Sequence, residues 1–338
     1  MKVAIQDTKG SFSDRWIDYC RSNNIDYKLV DCYSSDIIKQ FEDCDVIMWH
    51  FNHKGPRDSK FARQLLYSVE VAGKVVFPDF RTSWHFDDKV AQKYLLEALG
   101  APLVKSYVFY DKQQALEWAN NTDFPKVFKL RTGAGSDNVR LCKTRQDAIS
   151  LIKRSFGRGF NQYNAWANLK ERIRKYRHGK TNLFDVLKAL VRLVYTTEYS
   201  RVSGKEIGYV YFQDFIPENK FDIRVVVIGN RAFAIKRMVR ANDFRASGSG
   251  TILYEKENFS DATIKIAFEV SEKLQAQCMT YDFVYDNNTP LIVEISYGFA
   301  KVGYDDCTGY WDREMNWHNG SFNPYGWMVQ LLSDKADM

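Results

Sequence analysis

Two carboxylates set in apolar runs, Asp282 in YDFVYD and Glu294 in LIVEIS, are the residues of this chain best placed to do chemistry. An ionised carboxylate inside a strand is costly unless a cation or a hydrogen-bond donor answers it. The turn residues DNNT between the two runs predict a hairpin, and pairing would let the carboxylates face each other. Facing carboxylates repel unless a hard cation lies between them. Magnesium held by carboxylates together with substrate phosphates is the usual solution. Taken on the fragment VEISYGFA alone, Glu294 reads equally well as a paired structural glutamate.

Three further stretches carry polar groups in suggestive order. Lys129 lies in PKVFKLR (125–131), directly before the glycine-rich TGAGSDN. A lysine beside such a loop can hold a polyphosphate, with backbone N–H groups wrapping the oxygens while the ammonium supplies charge. The loop matches neither the P-loop nor the dinucleotide fingerprint, and a plain hairpin turn explains it too. YFQDFIPENKFDIRVVVIG sets Gln213, Asp214, Asp222 and Arg224 among apolar residues, which also suits a strand pair with exposed ends. IKRMVRANDFRASGSG brings Lys236, Arg237, Arg240 and Arg245, either converging on carboxylate or phosphate oxygens or forming a solvated charge run. No cysteine or serine sits in a nucleophile motif.

The elements that must position these residues begin as α/β. KVAIQD (2–7), YKLVDC (27–32), DVIMWHF (45–51) and KVVFPD (74–79) read as strands, with helices at SDRWIDYCRSN and around Phe61–Val71. Strands alternating with helices predict a parallel sheet covered on its faces. DDKVAQKYLLEALG (87–100) has helix spacing, an Asp at its start, and Gly100 then Pro102 as its stop. Beyond Leu103 come a strand LVKSYVFY, a helix QQALEWAN, strands PKVFKLR and VRLC, and a helix at 146–156. LFDVLKALVRLVY predicts an amphipathic helix with apolar positions 183, 186, 187, 190, 191 and 194. The last third is strand-rich, broken by a helix at 261–276.

Composition excludes whole classes. Apolar content of 45% and charge of 27% over 338 residues are those of a globular chain with room for two or three domains. No stretch approaches the roughly 20 apolar residues of a membrane span. The start MKVAIQDTKG has no apolar signal region, and six scattered cysteines form no C-x-x-C pair, so a cytoplasmic protein with reduced thiols is expected. Between Lys153 and Lys205 there are 13 Lys/Arg against three acids, a net of +10 within a chain of +6. That basic insert admits three readings: a solvated helical hairpin, a docking surface for a membrane or anionic glycan, or a nucleic-acid patch. No recognisable nucleic-acid module accompanies it, so specific nucleic-acid binding is not expected. Aromatic residues after the Glu294 strand (Tyr297, Phe299, Tyr304, Tyr310, Trp311, Trp317, Trp327) suit a hydrophobic core or a wall for sugar rings.

In this order the features resemble the ATP-grasp superfamily, in particular its RimK-like and glutathione-synthetase-like ligases, over roughly residues 1 to 300. The resemblance rests on Lys89 opening a helix, Lys129 before the glycine loop, the hinge QDFI, the DIR strand, the IKR and DFR arginines, and finally Asp282 and Glu294. It implies an α/β (α+β) fold with a pre-ATP-grasp domain at 1–86 and two subdomains sandwiching ATP. These would be a central lid subdomain at 87–205, with the helical insert at 157–205, and a C-terminal subdomain at 206–338. By the same resemblance Lys89 and Lys129 bind ATP phosphates, and the lid TGAGS, with Gly133, Gly135 and Ser136, closes over them. Gln213, Asp214, Phe215 and Ile216 receive the adenine, and Asp222 the ribose. Arg224, Arg237 and Arg245 stabilise the transferred phosphoryl group. Asp282, Glu294 and Ser296 hold two Mg2+ ions. The family usually has Asn where Ser296 stands, and Glu where Asp214 stands.

The implied reaction is ligation of a carboxylate to an amine through an acyl phosphate. EISYGF also resembles a subgroup associated with surface-polysaccharide biosynthesis, which points to a sugar acid or an amino acid as substrate. An inactive ATP-binding scaffold, suggested by Ser296, and an ATP-grasp kinase are the alternatives. Oligomerisation stays open.

Overall fold

The computed structural model describes residues 1–52, 57–133, 138–161, 169, 172–173, 176, 181–194, 204–239 and 251–336. Two compact units form: one comprises Met1–Asn52, Asp58–Val104 and Ile216–Met338, and the other is built on Lys105–Phe215.

The first unit opens with β1 (Lys2–Gln6), α1 (Ser13–Ser22), β2 (Asp26–Val30), α2 (Ile37–Gln40), β3 (Val46–Met48), α3 (Asp58–Val71), β4 (Val75–Phe77), α4 (Phe80–Ser83) and α5 (Lys89–Ala98). The strands pair in parallel in the order β2-β1-β3-β4, as the alternation predicts. Val3, Ala4, Ile5, Val46, Ile47 and Met48 are all buried, which is why these strands read as unbroken apolar runs. The α5 boundary follows from capping: the Asp88 carboxylate accepts from the N–H groups of Val90 and Ala91, so Lys89 is the first helical residue.

The second unit holds β5 (Ser106–Phe109), α6 (Lys112–Asn121), β6 (Lys126–Lys129), β7 (Arg140–Cys142), α7 (Arg145–Ser155), β8 (Phe160–Asn161), α8 (Leu183–Val194), β9 (Lys205–Glu206) and β10 (Val210–Asp214). Its main sheet is antiparallel in the order β5-β10-β6-β7. Phe128 and Phe212 meet Ala115, Ala119, Ala148 and Ile152 from α6 and α7 on one face. A capping box between Thr144 and Asp147 starts α7.

The chain then returns to the first unit with β11 (Phe221–Ile228), β12 (Arg231–Met238), β13 (Ile252–Leu253), α9 (Asp261–Leu274), β14 (Cys278–Asp286), β15 (Thr289–Ser296), β16 (Gly309–Asp312), β17 (Trp317–Asn319) and α10 (Pro324–Ala336). The sheet order is β15-β14-β11-β12-β16-β17, with β13 beside β12. Ile223, Val225, Tyr281, Phe283 and Ile295 pack on α9 through Ile264, Ala267 and Val270. On the other face, Val226, Ile228, Phe233 and Ile235 join the core of the parallel sheet. Tyr297, Phe299, Tyr304 and Trp311 are buried in these cores, which decides their aromatic character in favour of packing. All six cysteines are free and buried. Among the described residues no helix is long and apolar enough to cross a membrane.

One buried group makes stability depend on pH. His85 is fully buried, and among the described residues neither of its ring nitrogens has a hydrogen-bond partner. Burial, with help from the Arg63 charge, pushes its pKa down to about 3. The folded state therefore holds neutral imidazole while the unfolded chain protonates near pH 6.5, so this contribution is intact above 6.5 and lost as pH falls toward 3. The slope is at most about 1.4 kcal/mol per pH unit. Urea midpoints from pH 7 to 4 should fall more steeply for the native chain than for His85→Leu. Parallel curves would remove His85 as the cause.

Candidate active site

The face of the large sheet that is apolar at Val226 and Ile235 turns charged further along. Cross-strand register places Arg224 opposite Asp282 and Asp282 opposite Glu294, while Asp222 stands opposite Arg237. The Arg224 guanidinium donates twice to the Asp282 carboxylate, Nε to Oδ1 at 2.5 Å and a terminal nitrogen to Oδ2 at 2.6 Å. Arg237 donates to both oxygens of Asp222 and lies 3.2 Å from Asp282. Tyr304 adds its hydroxyl to the Arg224 side. Burial alone would raise the Asp282 pKa, but the two guanidiniums hold it well below the usual carboxylate range. Burial and the charge of Asp282 push Asp222 the other way, against the pull of Arg237.

Glu294 owes its orientation to a β-bulge. The β14–β15 register shifts between Asp282 and Phe283, leaving Val293 as the extra residue. Ile292 and Ile295, three apart, can then both enter the α9 core, and Glu294 joins the charged face. Its Oε1 lies 3.1 Å from Nζ of Lys89, the residue that opens α5. Burial disfavours the Lys89 charge, yet Glu294 and Asp87 more than restore it. Gln92 on the same helix accepts from the Ile295 N–H, tying α5 to β15. Ser296 closes a tight local turn, its hydroxyl donating to Gly298 O at 3.0 Å and accepting from Gly298 N at 3.1 Å. A Cβ at Gly298 would stand 3.0 Å from Nε2 of His50, so a side chain there would make the imidazole give way by a few tenths of an ångström.

In the second unit, the sheet face opposite its core carries a separate polar set. Lys129 Nζ donates to Gln213 Oε1 at 2.6 Å, and Gln213 Nε2 reaches Ser106 Oγ at 3.1 Å, which also accepts from the Tyr211 hydroxyl at 2.9 Å. Lys126 pairs with Asp214 at 2.7 Å on the adjacent register. At the mouth of the glycine loop, Glu206 accepts from the Thr132 and Tyr209 hydroxyls, and Tyr209 also receives the Arg131 N–H. Gly133 follows with φ of +110°, a conformation that strains any residue with a Cβ.

The expected residues thus fall into two sets. Asp222, Arg224, Arg237, Asp282, Glu294 and Lys89 meet in the first unit; in the second, Lys129 meets Gln213, while Asp214 pairs apart from them with Lys126. Phe215 closes the second unit, and Ile216 begins the return of the first. Gly135, Ser136 and Arg245 lie outside the described residues. Lys126, Tyr211, Glu206 and Tyr304 join these networks without any motif to announce them. Lys126 lies three residues before Lys129 and Tyr211 two before Gln213, while Tyr304 stood only among the aromatic residues.

Residues 197–307 match the model of the RimK-like ATP-grasp domain. The structure superposes on a RimK domain ATP-grasp protein from Sphaerobacter thermophilus with a TM-score of 0.56 at 13% identity, covering 98% of this chain and 100% of that one. D-alanine–D-alanine ligase from Bacillus anthracis, complexed with ATP, superposes with a TM-score of 0.58 at 11% identity over 99% and 96% of the two chains.

The chain has the ATP-grasp fold.

A further ATP-grasp structure, the ligase PsnB complexed with precursor peptide PsnA2 and AMPPNP, gives a TM-score of 0.54 at 12% identity over 100% of this chain and 98% of that one. No curated protein sequence matches the chain. In this ATP-grasp fold the strand register sets Asp282 opposite Glu294, and these are the two carboxylates that would hold a divalent ion. Among the described residues no group of three or more His, Cys, Asp or Glu could hold a metal unaided. Two hard carboxylates completed by phosphate oxygens fit magnesium, which keeps few protein ligands.

Proposed function

We propose that the protein is an ATP-dependent carboxylate–amine ligase. The observation that carries this reading is the row Arg224–Asp282–Glu294–Lys89, which sets two hard carboxylates among cations suited to phosphoryl oxygens. In the proposed reaction a substrate carboxylate oxygen attacks the γ-phosphorus of ATP and ADP leaves. An amine then attacks the acyl carbon, loses a proton and expels phosphate, giving an amide. Bound magnesium would neutralise charge on the phosphates. Arg224, Arg237 and Arg245 hold the transferring phosphoryl group. Lys89 and Lys129 bind phosphate, with Gly133, Gly135 and Ser136 as the closing loop. Gln213 to Ile216 receive adenine and Asp222 the ribose, while Asp282, Glu294 and Ser296 serve the metal. Catalysis of this kind is positioning and electrostatics and needs no protein nucleophile.

The EISYGF stretch supports a sugar acid or amino acid used in surface-polysaccharide assembly as the carboxylate. Consumption of ATP supports a cytoplasmic site of action. The test is ATP, magnesium and hydroxylamine with a panel of uronic and amino acids. A hydroxamate should form together with ADP, and chelation of magnesium should stop both. Tight ATP binding with no ADP release would favour a scaffold, and phosphate retained in a stable ester would favour a kinase.

A further inference from the structure

Helix α8 turns an apolar face outward. Leu183, Phe184, Leu187, Leu190 and Val191 are 55, 61, 50, 44 and 57% exposed, and their spacing puts them on one side of the helix. Among the described side chains of the helix, only Val186 and Ala189, on the other side, are buried, against Leu169 and Ile173. A solvated hairpin would show the reverse, with charges out and the aliphatic stripe in.

Two observations say what this face fits. The segment from Lys153 to Lys205 carries 13 Lys/Arg against three acids. On the helix itself, Lys188 Nζ lies 4.4 Å from the centroid of the Phe184 ring, which sets a cation against the apolar face. An aliphatic stripe with Lys188 against it, on a helix within so basic a segment, matches the headgroup–acyl boundary of an anionic bilayer. A second copy would bring one strongly basic segment against another. Single-stranded nucleic acid would use stacking aromatics, and four of the five exposed residues are aliphatic.

We propose that α8 docks the protein on an anionic membrane surface. Its apolar face enters the interfacial layer, and the lysines and arginines of the segment meet lipid phosphates. The full-length protein should co-sediment with phosphatidylcholine vesicles containing about 30% phosphatidylglycerol at least ~10-fold more strongly than with phosphatidylcholine alone. Salt at about 0.5 M should erase most of that preference. The double variant Leu187→Ser, Val191→Ser changes exposed positions only. It should keep the circular dichroism and melting of the native chain while losing binding by about 10-fold or more. Equal partition onto both vesicle types, or unchanged binding by the folded variant, overturns the proposal. So does a dimer that Leu187→Glu converts to monomer, or tighter binding of a single-stranded oligonucleotide than of the anionic vesicles.

Discussion

Replacing Arg224 by alanine should destabilise the fold by about 3–5 kcal/mol and eliminate turnover together. The guanidinium is the bidentate partner of Asp282, and the pair is largely shielded, with side-chain exposures of 23 and 17%. Without it, Asp282 keeps only Arg237 at 3.2 Å, which already serves Asp222. Two carboxylates would then share one cation in a desolvated row. Lysine at 224 should recover little, because a single ammonium cannot reproduce the two parallel bonds. The double variant Arg224→Met, Asp282→Leu separates stability from chemistry, since removing both partners leaves no buried charge unanswered. It should regain most of the urea midpoint and none of the turnover. A single variant as stable as the native chain would show that this pair does not hold the sheet face together.

Glu294→Gln should act almost entirely on chemistry. Its side chain is 38% exposed, and the amide oxygen can still accept from Lys89, so the cost to stability should be only about 1 kcal/mol. In the proposed reaction the carboxylate would help hold the magnesium that neutralises the phosphates, and a neutral amide would hold it more weakly. Its loss should lower kcat on the order of 10²–10³-fold or more, as for other single electrostatic groups. ADP release measured at saturating ATP and magnesium checks this. Activity within tenfold of the native chain would return Glu294 to the role of a structural partner for Lys89.

Much of the framework was legible because its determinants are local. Continuous apolar runs mark the parallel strands, Asp88 marks the start of α5, and DNNT marks the β14–β15 hairpin. Its regular register alone would set Asp282 opposite Val293, and the bulge brings Glu294 there instead. The compensating cations were less legible, because Arg224 and Asp282 are 58 residues apart and meet only through the register of β11 on β14. The bulge at Val293 has no composition of its own, yet it decides which way Glu294 points. Lys126 and Lys129 look alike in sequence, but their odd spacing sends them to different networks. The start of α10 does carry a local mark that sequence reasoning missed: Asn323 accepts from the Gly326 N–H and Pro324 takes the first helical position. The stripe of α8 was readable as amphipathic, but its outward orientation was not, since periodicity shows that a face exists and not what covers it.

The charged row of the first unit is self-neutral: Lys89, Arg224 and Arg237 answer Asp222, Asp282 and Glu294 one for one. Among the described residues of the row, each cation already has a carboxylate partner. An incoming anion recruits Lys89 or Arg224 only by outcompeting a carboxylate already in place, so a weak, diffuse anion such as chloride gains little. A polyphosphate, with several oxygens and several charges, can exchange more than one pair at once. In the proposed reaction the row would act as a filter for charge density, set by the pairings it must give up.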